Sequence, residues 1–425
     1  MEAKKIWFLN HYAVPSNYPG ITRHFDFGVE LVRRGYKVTI FTSSFDHTSK
    51  TYISNFQDRY KEEIVKGVKF LWIKTYPSYN GNNWKRMANM LSYTYEVTRA
   101  GLELEEKPDV IIGSSLHLFA GLAAYFLAKR KGAKFVFEVR DLWPQTMVDL
   151  GSYKRHHPAV WMMYKLEKFL YTKANKIIVI PPRARDYISN LGVGNDKIIH
   201  VPNGICVEEG SDNDFQSLPT ELEDEIKKLQ SMGKFIVAYT GNHGVANNLE
   251  AIMHTARILL DSGYDNIHFL LVGNGVQKEK LVKEAKEFKL TNVSFFNPVL
   301  KRQIPRLLSK VDATIILLKE TGLFEKYGAS PNKLFDYMMA AKPIISVSVF
   351  RDIIEKVNCG KVLPDTKPES ILKAVLELSR LSLREREEMG IRGRKYVVEN
   401  HSVSVLVDKL IKGLFCCKDM YKKFP

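Results

Sequence analysis

The chain has 425 residues, of which 45% are hydrophobic and 26% are charged, as is ordinary for a globular protein of two or three domains. The formal net charge of +16 favours an anionic partner such as nucleic acid, a phospholipid surface or a phosphorylated substrate, without choosing among them. The four cysteines lack metal-ligand spacing, so the sequence indicates neither a disulfide framework nor a zinc site and fits a reducing cytosol.

The first half of the chain alternates predicted strands and helices. The apolar run Ile6 to Leu9 predicts a buried strand and is too short for a signal-peptide core. A helix that ends at Gly35 and a strand at Val38 to Thr42 follow. The pattern then recurs as strands at Val110 to Gly113, Phe135 to Val139 and Lys176 to Ile180, with helices before Lys131 and around residues 158 to 172. Such alternation indicates a parallel sheet covered by helices on both faces.

One helical stretch in this half is basic and amphipathic. Its spaced apolar residues are Trp84, Met87, Leu91 and Tyr95, with the cations Lys85, Arg86 and Arg99 interleaved. Such a face can lie on an anionic bilayer, and it can equally be a core-facing helix with solvated cations. The longest nearly uncharged apolar stretch, Leu116 to Ala128, falls short of the roughly 18 residues that a membrane span needs. We therefore expect a cytoplasmic protein that can be peripheral on the inner face of the cell membrane.

The composition changes after Pro202-Asn203-Gly204. Residues 207 to 233 show no strand pattern and carry the acidic residues Glu208, Glu209, Asp212, Asp214, Glu221, Glu223, Asp224 and Glu225. A second series then has strands at Phe235 to Tyr239, Ile267 to Val272, Val293 to Phe296 and Ala313 to Leu318, with helices at Leu249 to Leu260, Glu279 to Phe288 and near residues 302 to 309. We predict domains at residues 1–205 and 206–390, followed by C-terminal helices at 391–425 that pack back on the first domain.

Three glycine segments follow predicted strands, where a parallel sheet places its ligand. They are Tyr18-Pro19-Gly20 before Thr22-Arg23, Gly241-Asn242-His243-Gly244, and Gly273-Asn274-Gly275. Each could bring backbone N–H groups close to a phosphate, and each could equally be a tight turn. None matches the dinucleotide fingerprint or the P-loop.

The run Glu138-Val139-Arg140-Asp141-Leu142-Trp143-Pro144 also follows a predicted strand. Asp141 could accept a proton from an attacking hydroxyl while Arg140 holds a phosphate; the alternative is a local ion pair that shapes the loop. Isolated histidines such as His117 are more often packed or solvated than catalytic. The sequence contains no evident Ser-His-Asp set and no metal-binding carboxylate cluster, so we predict no metal and no cofactor.

The segment from Ser330 to Ser346 carries the strongest local signal. Pro331 suits the first position of a helix, whose free N–H groups can face an anion, and Lys333 adds a positive charge there. Asp336 lies on nearly the same face, because positions i and i+3 are neighbours on a helix. A nucleotide diphosphate could place its phosphates at the helix start and its sugar hydroxyls at Asp336. An ordinary amphipathic helix with both charges in solvent fits the same spacing.

Several motifs in order resemble the retaining family-four glycosyltransferases, and within them the WbuB-type sugar transferases of O-antigen and capsule assembly. They are Lys333 to Met338 with Lys342-Pro343, Gly273-Asn274-Gly275, Val201-Pro202-Asn203-Gly204 and Val139 to Pro144. The resemblance, from about residue 4 to about 400, implies an α/β protein of GT-B fold, with two Rossmann-like doubly wound parallel-sheet domains facing a central cleft. It also implies that the first domain binds the acceptor and the second a nucleotide-sugar, commonly a UDP-sugar.

The resemblance also implies roles for particular residues. Asp336 corresponds to the second acid of the family's Glu-x7-Glu motif and would hold the ribose, whereas the first acid falls at Gly328. The family's basic pair maps near Asn242 and Asn247, so Lys333 and Arg23 become its candidate replacements. The predicted catalytic residues are Asp141 and Arg140. The predicted donor-binding residues are Gly20, Arg23, Gly241, Asn242, Gly273, Asn274, Gly275, Val299, Ser330, Pro331, Asn332, Lys333 and Asp336.

The expected function is retaining, metal-independent transfer of a hexosyl or N-acetylhexosaminyl group from a UDP-sugar to a lipid-linked or saccharide acceptor in surface polysaccharide synthesis. Two alternatives stay open. A nucleotide-sugar epimerase shares the GT-B architecture, and a non-catalytic nucleotide-binding scaffold would fit the missing first acid. A nucleic-acid partner is not expected, because aromatic and basic residues do not interleave in a recognisable module.

Overall fold

The computed structural model describes residues 2–18, 20–46, 50–53, 56–79, 84–115, 117–151, 153–207 and 217–415. The chain divides into two compact units. The first unit consists of residues 1–202 and the segment that begins at Val403, and the second consists of residues 203–402. The boundary after residue 202 lies a few residues before the predicted division at 205. The boundary after residue 402 lies further along the chain than the predicted division at 390.

The first unit begins with alternating strands and helices. Its strands are β1 (Lys5–Leu9), β2 (Lys37–Ser43), β3 (Tyr60–Val65), β4 (Val68–Ile73), β5 (Val110–Ser115), β6 (Lys134–Val139), β7 (Lys176–Val179) and β8 (Ile198–His200). Its helices up to residue 202 are α1 (Arg23–Arg33), α2 (Trp84–Glu103), α3 (Leu118–Lys131), α4 (Gln145–Asp149), α5 (Pro158–Lys173) and α6 (Ala184–Ser189). In the described residues the strands form one sheet in the order β3-β4-β2-β1-β5-β6-β7-β8.

The connections of this sheet distribute its helices between two faces. Helix α1 joins β1 to β2 in one direction across the sheet, whereas α2, α3 and α5 each join strands that lie successively in the other direction. Because crossovers between parallel strands are right-handed, α2, α3 and α5 share one face and α1 covers the opposite face. The central strands are buried on both faces, as the continuous apolar run at Val110, Ile111 and Ile112 predicts.

The sequence did not predict the hairpin of β3 and β4. Strand β3 pairs antiparallel with β4 at the edge of the sheet, and the two are joined by Lys66 and Gly67, both with positive φ. Positive φ at both central residues is typical of a two-residue hairpin turn. Lys61, Glu62 and Glu63 give β3 the charged character of an edge strand, so its sequence lacks the apolar run of a central strand.

The second unit is also an α/β unit. Its strands are β9 (Phe235–Asn242), β10 (Ile267–Asn274), β11 (Val293–Phe296), β12 (Ala313–Ile316), β13 (Ile344–Val347) and β14 (Gly360–Leu363). Its helices are α7 (Thr220–Ser231), α8 (Glu250–Asp261), α9 (Lys278–Glu287), α10 (Ile304–Ser309), α11 (Gly322–Tyr327), α12 (Asn332–Met339), α13 (Arg351–Val357), α14 (Pro368–Arg380) and α15 (Leu383–His401). In the described residues the strands form a parallel sheet in the order β11-β10-β9-β12-β13-β14.

The acidic segment that the sequence placed at the domain boundary contains helix α7. Leu222, Ile226 and Leu229 are buried in the core of the second unit. This spacing is that of an amphipathic helix whose acidic residues occupy positions outside the buried face. The acidic composition of α7 therefore did not indicate a linker. The acidic residues at positions 208 to 214 lie outside the described part of the chain.

The C-terminal helices separate at Ser402. Helix α15 packs on α12 and α13 within the second unit and continues to His401. Helix α16 (Val403–Phe415) packs on α1 within the first unit through buried residues that include Leu406 and Leu410. The predicted start of the returning segment at residue 391 is thus in the middle of a continuous helix, and the return begins at Val403.

Candidate functional sites in the two units

The carboxyl ends of β9 and β10 are joined in the second unit. The two strands remain paired through Gly241 with Gly273 and Asn242 with Asn274, so these four residues lie in strand ends and the predicted turns after residues 239 and 272 are misplaced. A Cβ atom at Gly273 would overlap the carbonyl oxygen of Gly241. Glycine is therefore required for the close approach of the two backbones.

The turn after β10 packs on the end of β9. The side-chain oxygen of Asn274 accepts a hydrogen bond of 2.9 Å from the N–H of Gly275. The Nζ of Lys278 donates to the carbonyl oxygens of Gly273 and Phe296, both at 3.0 Å. It also donates to Oδ1 of Asn297 at 2.9 Å. Lys278 thereby joins the ends of β10 and β11, a role that the sequence did not predict because these acceptors lie near Lys278 only in the folded chain.

Lys333 connects the start of α12 to the end of β9. Its Nζ donates to the hydroxyl of Tyr239 at 2.6 Å and to Oδ1 of Asn247 at 3.1 Å, and it lies 4.1 Å from the centre of the Tyr239 ring. The side chain also borders Gly241, since its Cε lies 3.4 Å from the position that a Cβ there would occupy. Burial lowers the pKa of Lys333 to about 7. The structure thus brings together Lys333 and Gly241, two predicted donor-binding residues.

The residues before Lys333 form the start of α12. Pro331 precedes the helix, which begins at Asn332, so the prediction of Pro331 as the first helical residue is wrong by one position. Ser330 is fixed by Asn203, whose N–H donates to the Ser330 hydroxyl at 3.2 Å and whose side chain donates to the Ser330 carbonyl at 2.6 Å. The N–H groups of the first turn emerge at this end of the helix, as they do at any helix start.

Asp336 lies one turn further along α12. Lys301 donates a hydrogen bond of 3.0 Å to Oδ1 of Asp336, and the two side chains are 33% and 13% exposed. Lys301 begins a short 3₁₀ helix after β11, two residues beyond the partly buried Val299. The hydroxyl of Tyr337 accepts a hydrogen bond of 2.7 Å from the N–H of Thr240 and fixes α12 against β9. The sequence predicted Asp336 but missed its partner Lys301.

Gly328, where the resemblance implies the first acid, follows helix α11. Its φ is +77°, a conformation that glycine adopts readily and other residues disfavour. The backbone here thus accounts for the glycine.

His243 is a completely buried residue that the sequence did not single out. Among the described residues neither of its ring nitrogens has a hydrogen-bond partner. Burial and the nearby ammonium groups of Lys278 and Lys333 lower the pKa of His243 to about 4, so the ring is neutral at pH 7. A neutral buried imidazole lies beside the glycine backbone at the ends of β9 and β10, where it can donate one hydrogen bond.

A buried ionic network lies in the first unit. The Glu138 carboxylate accepts hydrogen bonds from Arg23 Nε at 3.0 Å and from Ser114 Oγ at 2.7 Å, and it lies 2.7 Å from His24 Nε2. Although burial opposes ionisation, His24 and Arg23 hold the pKa of Glu138 well below its usual range. Arg23 also donates to the backbone carbonyls of residues 201 and 202. These contacts favour a structural role for Arg23, and its predicted donor-binding role stays a prediction.

Arg140 and Asp141 directly follow β6. The backbone N–H of Arg140 donates to Ser115 Oγ at 3.0 Å, and its Nη1 is buried without a hydrogen-bond partner in the described part of the chain. Burial lowers the pKa of Arg140, and the carboxylates of Glu138 and Asp141 oppose this shift. Asp141 is an exposed residue, but desolvation of its carboxyl group raises the pKa of Asp141 and Arg140 opposes this shift. Arg140 is thus a cation with an unused donor beside a carboxyl group whose pKa is raised.

Gly20 and His117 make packing and capping contacts in the first unit, and the predicted donor-binding role of Gly20 stays a prediction. Gly20 packs on Val14, whose Cγ2 lies 2.9 Å from the position of a Cβ at Gly20, while Pro19 lies outside the described residues. His117 caps α3, since its Nδ1 accepts a hydrogen bond of 3.3 Å from the N–H of Ala120. Burial lowers the pKa of His117 to about 3, so it stays neutral and packed.

Among the described residues, no three or more His, Cys, Asp or Glu side chains are grouped so that they could hold a metal ion. No helix in the described part of the chain is both long and apolar enough to span a membrane.

The sequence matches two family models in succession. Residues 22–204 match the model described as a glycosyl transferase 4-like domain, and residues 234–380 match the model described as glycosyl transferases group 1. The probable glycosyltransferase WbjE of Pseudomonas aeruginosa is 23% identical over 283 residues, 65% of this chain and 67% of that protein. The putative colanic acid biosynthesis glycosyl transferase WcaI of Escherichia coli is 26% identical over 218 residues, 50% of this chain and 51% of that protein. The second match thus spans about half of that relative.

The fold matches solved structures over nearly the whole chain. HepE of Anabaena, in complex with UDP and glucose, has a TM-score of 0.68 and 12% identity, with 97% of this chain and 100% of that chain covered. The predicted GT-B fold, with two parallel-sheet α/β domains, is confirmed by this likeness.

Proposed function

The chain belongs to the glycosyltransferases that join a 4-like domain to a group 1 domain, and on this premise we propose that it transfers a sugar from a UDP-sugar to a lipid-linked or saccharide acceptor. The proposed setting is surface polysaccharide synthesis, which WcaI supports by its description as a colanic acid biosynthesis enzyme. The UDP group is supported by HepE, whose structure contains UDP. The proposal assigns the donor to the second unit and the acceptor to the first.

The position of Lys333 is the observation that carries the donor assignment. Its ammonium group is desolvated at the start of α12, beside Gly241 and bound to the neutral oxygens of Tyr239 and Asn247. A diphosphate at this place would receive a charge-assisted hydrogen bond from Lys333 and further bonds from the N–H groups of the helix start. Asp336, one turn away, would accept hydrogen bonds from the ribose hydroxyls.

The proposed reaction retains the configuration of the sugar. An acceptor hydroxyl attacks the anomeric carbon from the face that the diphosphate leaves, so one C–O bond forms while another breaks. Lys333 and the helix start stabilise the negative charge that grows on the departing diphosphate. Asp141 takes the proton of the hydroxyl, and Arg140 holds a phosphate with its unused Nη1. No metal ion is assigned a role.

A thermal-shift panel of UDP, GDP, ADP and TDP, with their sugars, tests the donor assignment. A ligand that binds only the folded state raises its stability, so we expect the largest shift with UDP or a UDP-sugar. Lys333→Ala should reduce that shift, whereas Lys283→Ala should not, because Lys283 is an exposed lysine on α9. The absence of a shift with every nucleotide would refute the donor assignment.

Gly328 favours a second candidate, a nucleotide-binding scaffold without transferase activity. The family position of the first acid is occupied by a glycine whose φ is +77°. The scaffold predicts nucleotide binding without release of UDP or transfer of sugar to any lipid-linked acceptor. Detection of sugar transfer to such an acceptor would eliminate it, and a new sugar epimer formed from UDP-sugar alone would favour an epimerase instead.

The proposal includes a cytoplasmic location at the inner face of the cell membrane. A lipid-linked acceptor is confined to a membrane, so the enzyme would have to reach its surface. The net charge of +16 is compatible with an anionic bilayer as partner. Separation of the cell into soluble and membrane fractions, followed by a high-salt wash, tests this location.

A further inference from the structure

We propose that the first unit docks on an anionic phospholipid bilayer through the outward surface of α2, α3 and α5, here called the aromatic-basic face. This inference rests on the proposed function, because a lipid-linked acceptor would lie in the membrane and the enzyme would have to bind the membrane surface to reach it. The face is defined by the apolar residues Trp84, Leu91, Tyr95, Phe126, Trp161 and Met162 and the cations beside them.

The three helices form one continuous layer. Right-handed connections place them on the same face of the sheet, and α3 contacts both α2 and α5. The rings of Tyr125 on α3 and Phe169 on α5 meet edge to face, with their centroids 5.2 Å apart. The residues on the outer side of these helices therefore belong to a single surface.

Large apolar side chains are exposed on each helix of this layer. Trp84 of α2 is 73% exposed, Phe126 of α3 is 43% exposed, and Trp161 of α5 is 58% exposed. Scattered exposed apolar residues are ordinary, but several large aromatic residues on neighbouring helices indicate a binding surface. The sequence predicted the α2 part of this surface, whereas the α5 part became evident only from the exposure of Trp161 and Met162.

A cation lies over an exposed ring four residues earlier on each helix. Arg99 lies 5.7 Å from the ring centre of Tyr95, and Arg130 lies 5.2 Å from that of Phe126. Lys165 lies 3.6 Å from the ring centre of Trp161. Aromatic rings with a long cationic side chain are suited to the headgroup region, where the ring enters the apolar boundary and the charge stays with the phosphates.

The charge of the layer selects an anionic partner. Helix α3 contains no acidic residue, and the single acid of α5, Glu167, is buried. The two acids of α2, Glu96 and Glu103, both pair with Arg59. Lysines and arginines outnumber acidic residues on the three helices, so the layer complements acidic lipid headgroups.

Flotation of the full chain with lipid vesicles tests the inference. One set of vesicles is phosphatidylcholine alone, and the other contains equal parts of phosphatidylcholine and phosphatidylglycerol. We expect binding to the second set that high salt weakens. The affinity of the combined Trp84→Ala, Phe126→Ala and Trp161→Ala variant for the anionic vesicles should fall by about tenfold or more. A matched control replaces three exposed apolar residues of the second unit, Met232, Leu383 and Ile391, by alanine and should bind as the wild type does.

Three results would overturn the inference. The first is no flotation of the wild type, and the second is equal flotation of both variants. The third is a dimer in solution that the aromatic substitutions dissociate, because the face would then join two copies of the chain. Charge reversal at Arg130 and Lys165 gives a second test and should also weaken binding to the anionic vesicles. The UDP-induced thermal shift is measured on the same proteins. Vesicle binding without that shift would refute the proposed donor site and leave the aromatic-basic face supported.

Discussion

The two units of this chain treat a buried cation in opposite ways. In the first unit, Arg23 is paired with Glu138 and donates to backbone carbonyls, so its charge is balanced by the protein itself. In the second unit, Lys333 is held by the neutral oxygens of Tyr239 and Asn247, and burial lowers its pKa to about 7. The charge of Arg23 is thus balanced within its unit, whereas Lys333 has the neutral partners that the proposed binding of a diphosphate would complement.

Burial alone does not distinguish the two cations, whereas the charge of their partners does. Both side chains lie at the carboxyl edge of a parallel sheet, which is the usual place for a ligand in such a fold. The resemblance to the glycosyltransferases predicted donor binding for both. The presence or absence of a carboxylate among the internal acceptors distinguishes them, and substitutions can test the distinction.

The largest effect is expected for Arg23→Met. The substitution leaves the Glu138 carboxylate buried with His24 and Ser114 as partners, and loss of one member of a buried ion pair costs about 3 to 5 kcal/mol. We expect a loss of this size in the free energy of unfolding of the first unit, measured by urea denaturation. Arg33→Met is the control, because its side chain is 69% exposed and pairs with Glu30 at the surface.

A double-mutant cycle sharpens this test. Glu138→Gln removes the buried charge that Arg23→Met leaves behind, so the double variant should lose less stability than the two single variants together. Additive losses would mean that the pair does not act as a unit and would break the comparison.

The next effect concerns catalysis rather than stability. Lys333→Ala should lower kcat/KM for the UDP-sugar by a factor that corresponds to about 1.5 to 3 kcal/mol, the value of a hydrogen bond to a charged group. The free energy of unfolding should change much less than in Arg23→Met, because Lys333 has only neutral partners to lose. Steady-state kinetics and urea denaturation of the same variant measure the two quantities. Unchanged turnover would remove Lys333 from the site.

The depressed pKa of Lys333 predicts how UDP binding depends on pH. Above pH 7 the free protein holds Lys333 mainly in its neutral form, whereas a bound diphosphate favours the charged form. Binding must then take up a proton, so affinity should fall by about tenfold per pH unit until the pKa of the complex is reached. Calorimetry in two buffers of different ionisation enthalpy measures the proton uptake.

Lys333→Ala provides the control for this pH dependence. Lys278 also faces the site with a pKa lowered by burial, whereas His243 has a pKa of about 4 and is already neutral above pH 7. If Lys333 is the responsible group, the variant should bind UDP weakly and with little proton uptake. Undiminished uptake in the variant would assign the effect to Lys278.

The fold was predictable because its signals are local. Apolar runs such as Ile6 to Leu9 and the helical spacing around Lys333 depend on neighbouring residues, and both led to elements that the structure contains. The charged edge strand β3 was not predicted because it lacks an apolar run. The contacts of the candidate site residues were not predicted for another reason. Arg23 and Glu138 are 115 positions apart, and Lys333 and Tyr239 are 94 apart, so only the folded chain reveals these contacts.

The smallest effect tests whether a partly exposed ion pair belongs to the donor site. Lys301 donates to one oxygen of Asp336, the predicted ribose ligand, and thereby orients the carboxylate. Lys301→Met should raise KM for the UDP-sugar by a few fold, equivalent to about 0.2 to 1 kcal/mol for an exposed pair, with kcat nearly unchanged. Lys310→Met removes a comparable pair with Glu223 elsewhere in the unit and should leave KM unchanged. If both substitutions change KM equally, Lys301 stabilises helix α12 rather than ribose binding. Lys333 alone would then distinguish the second unit from the first.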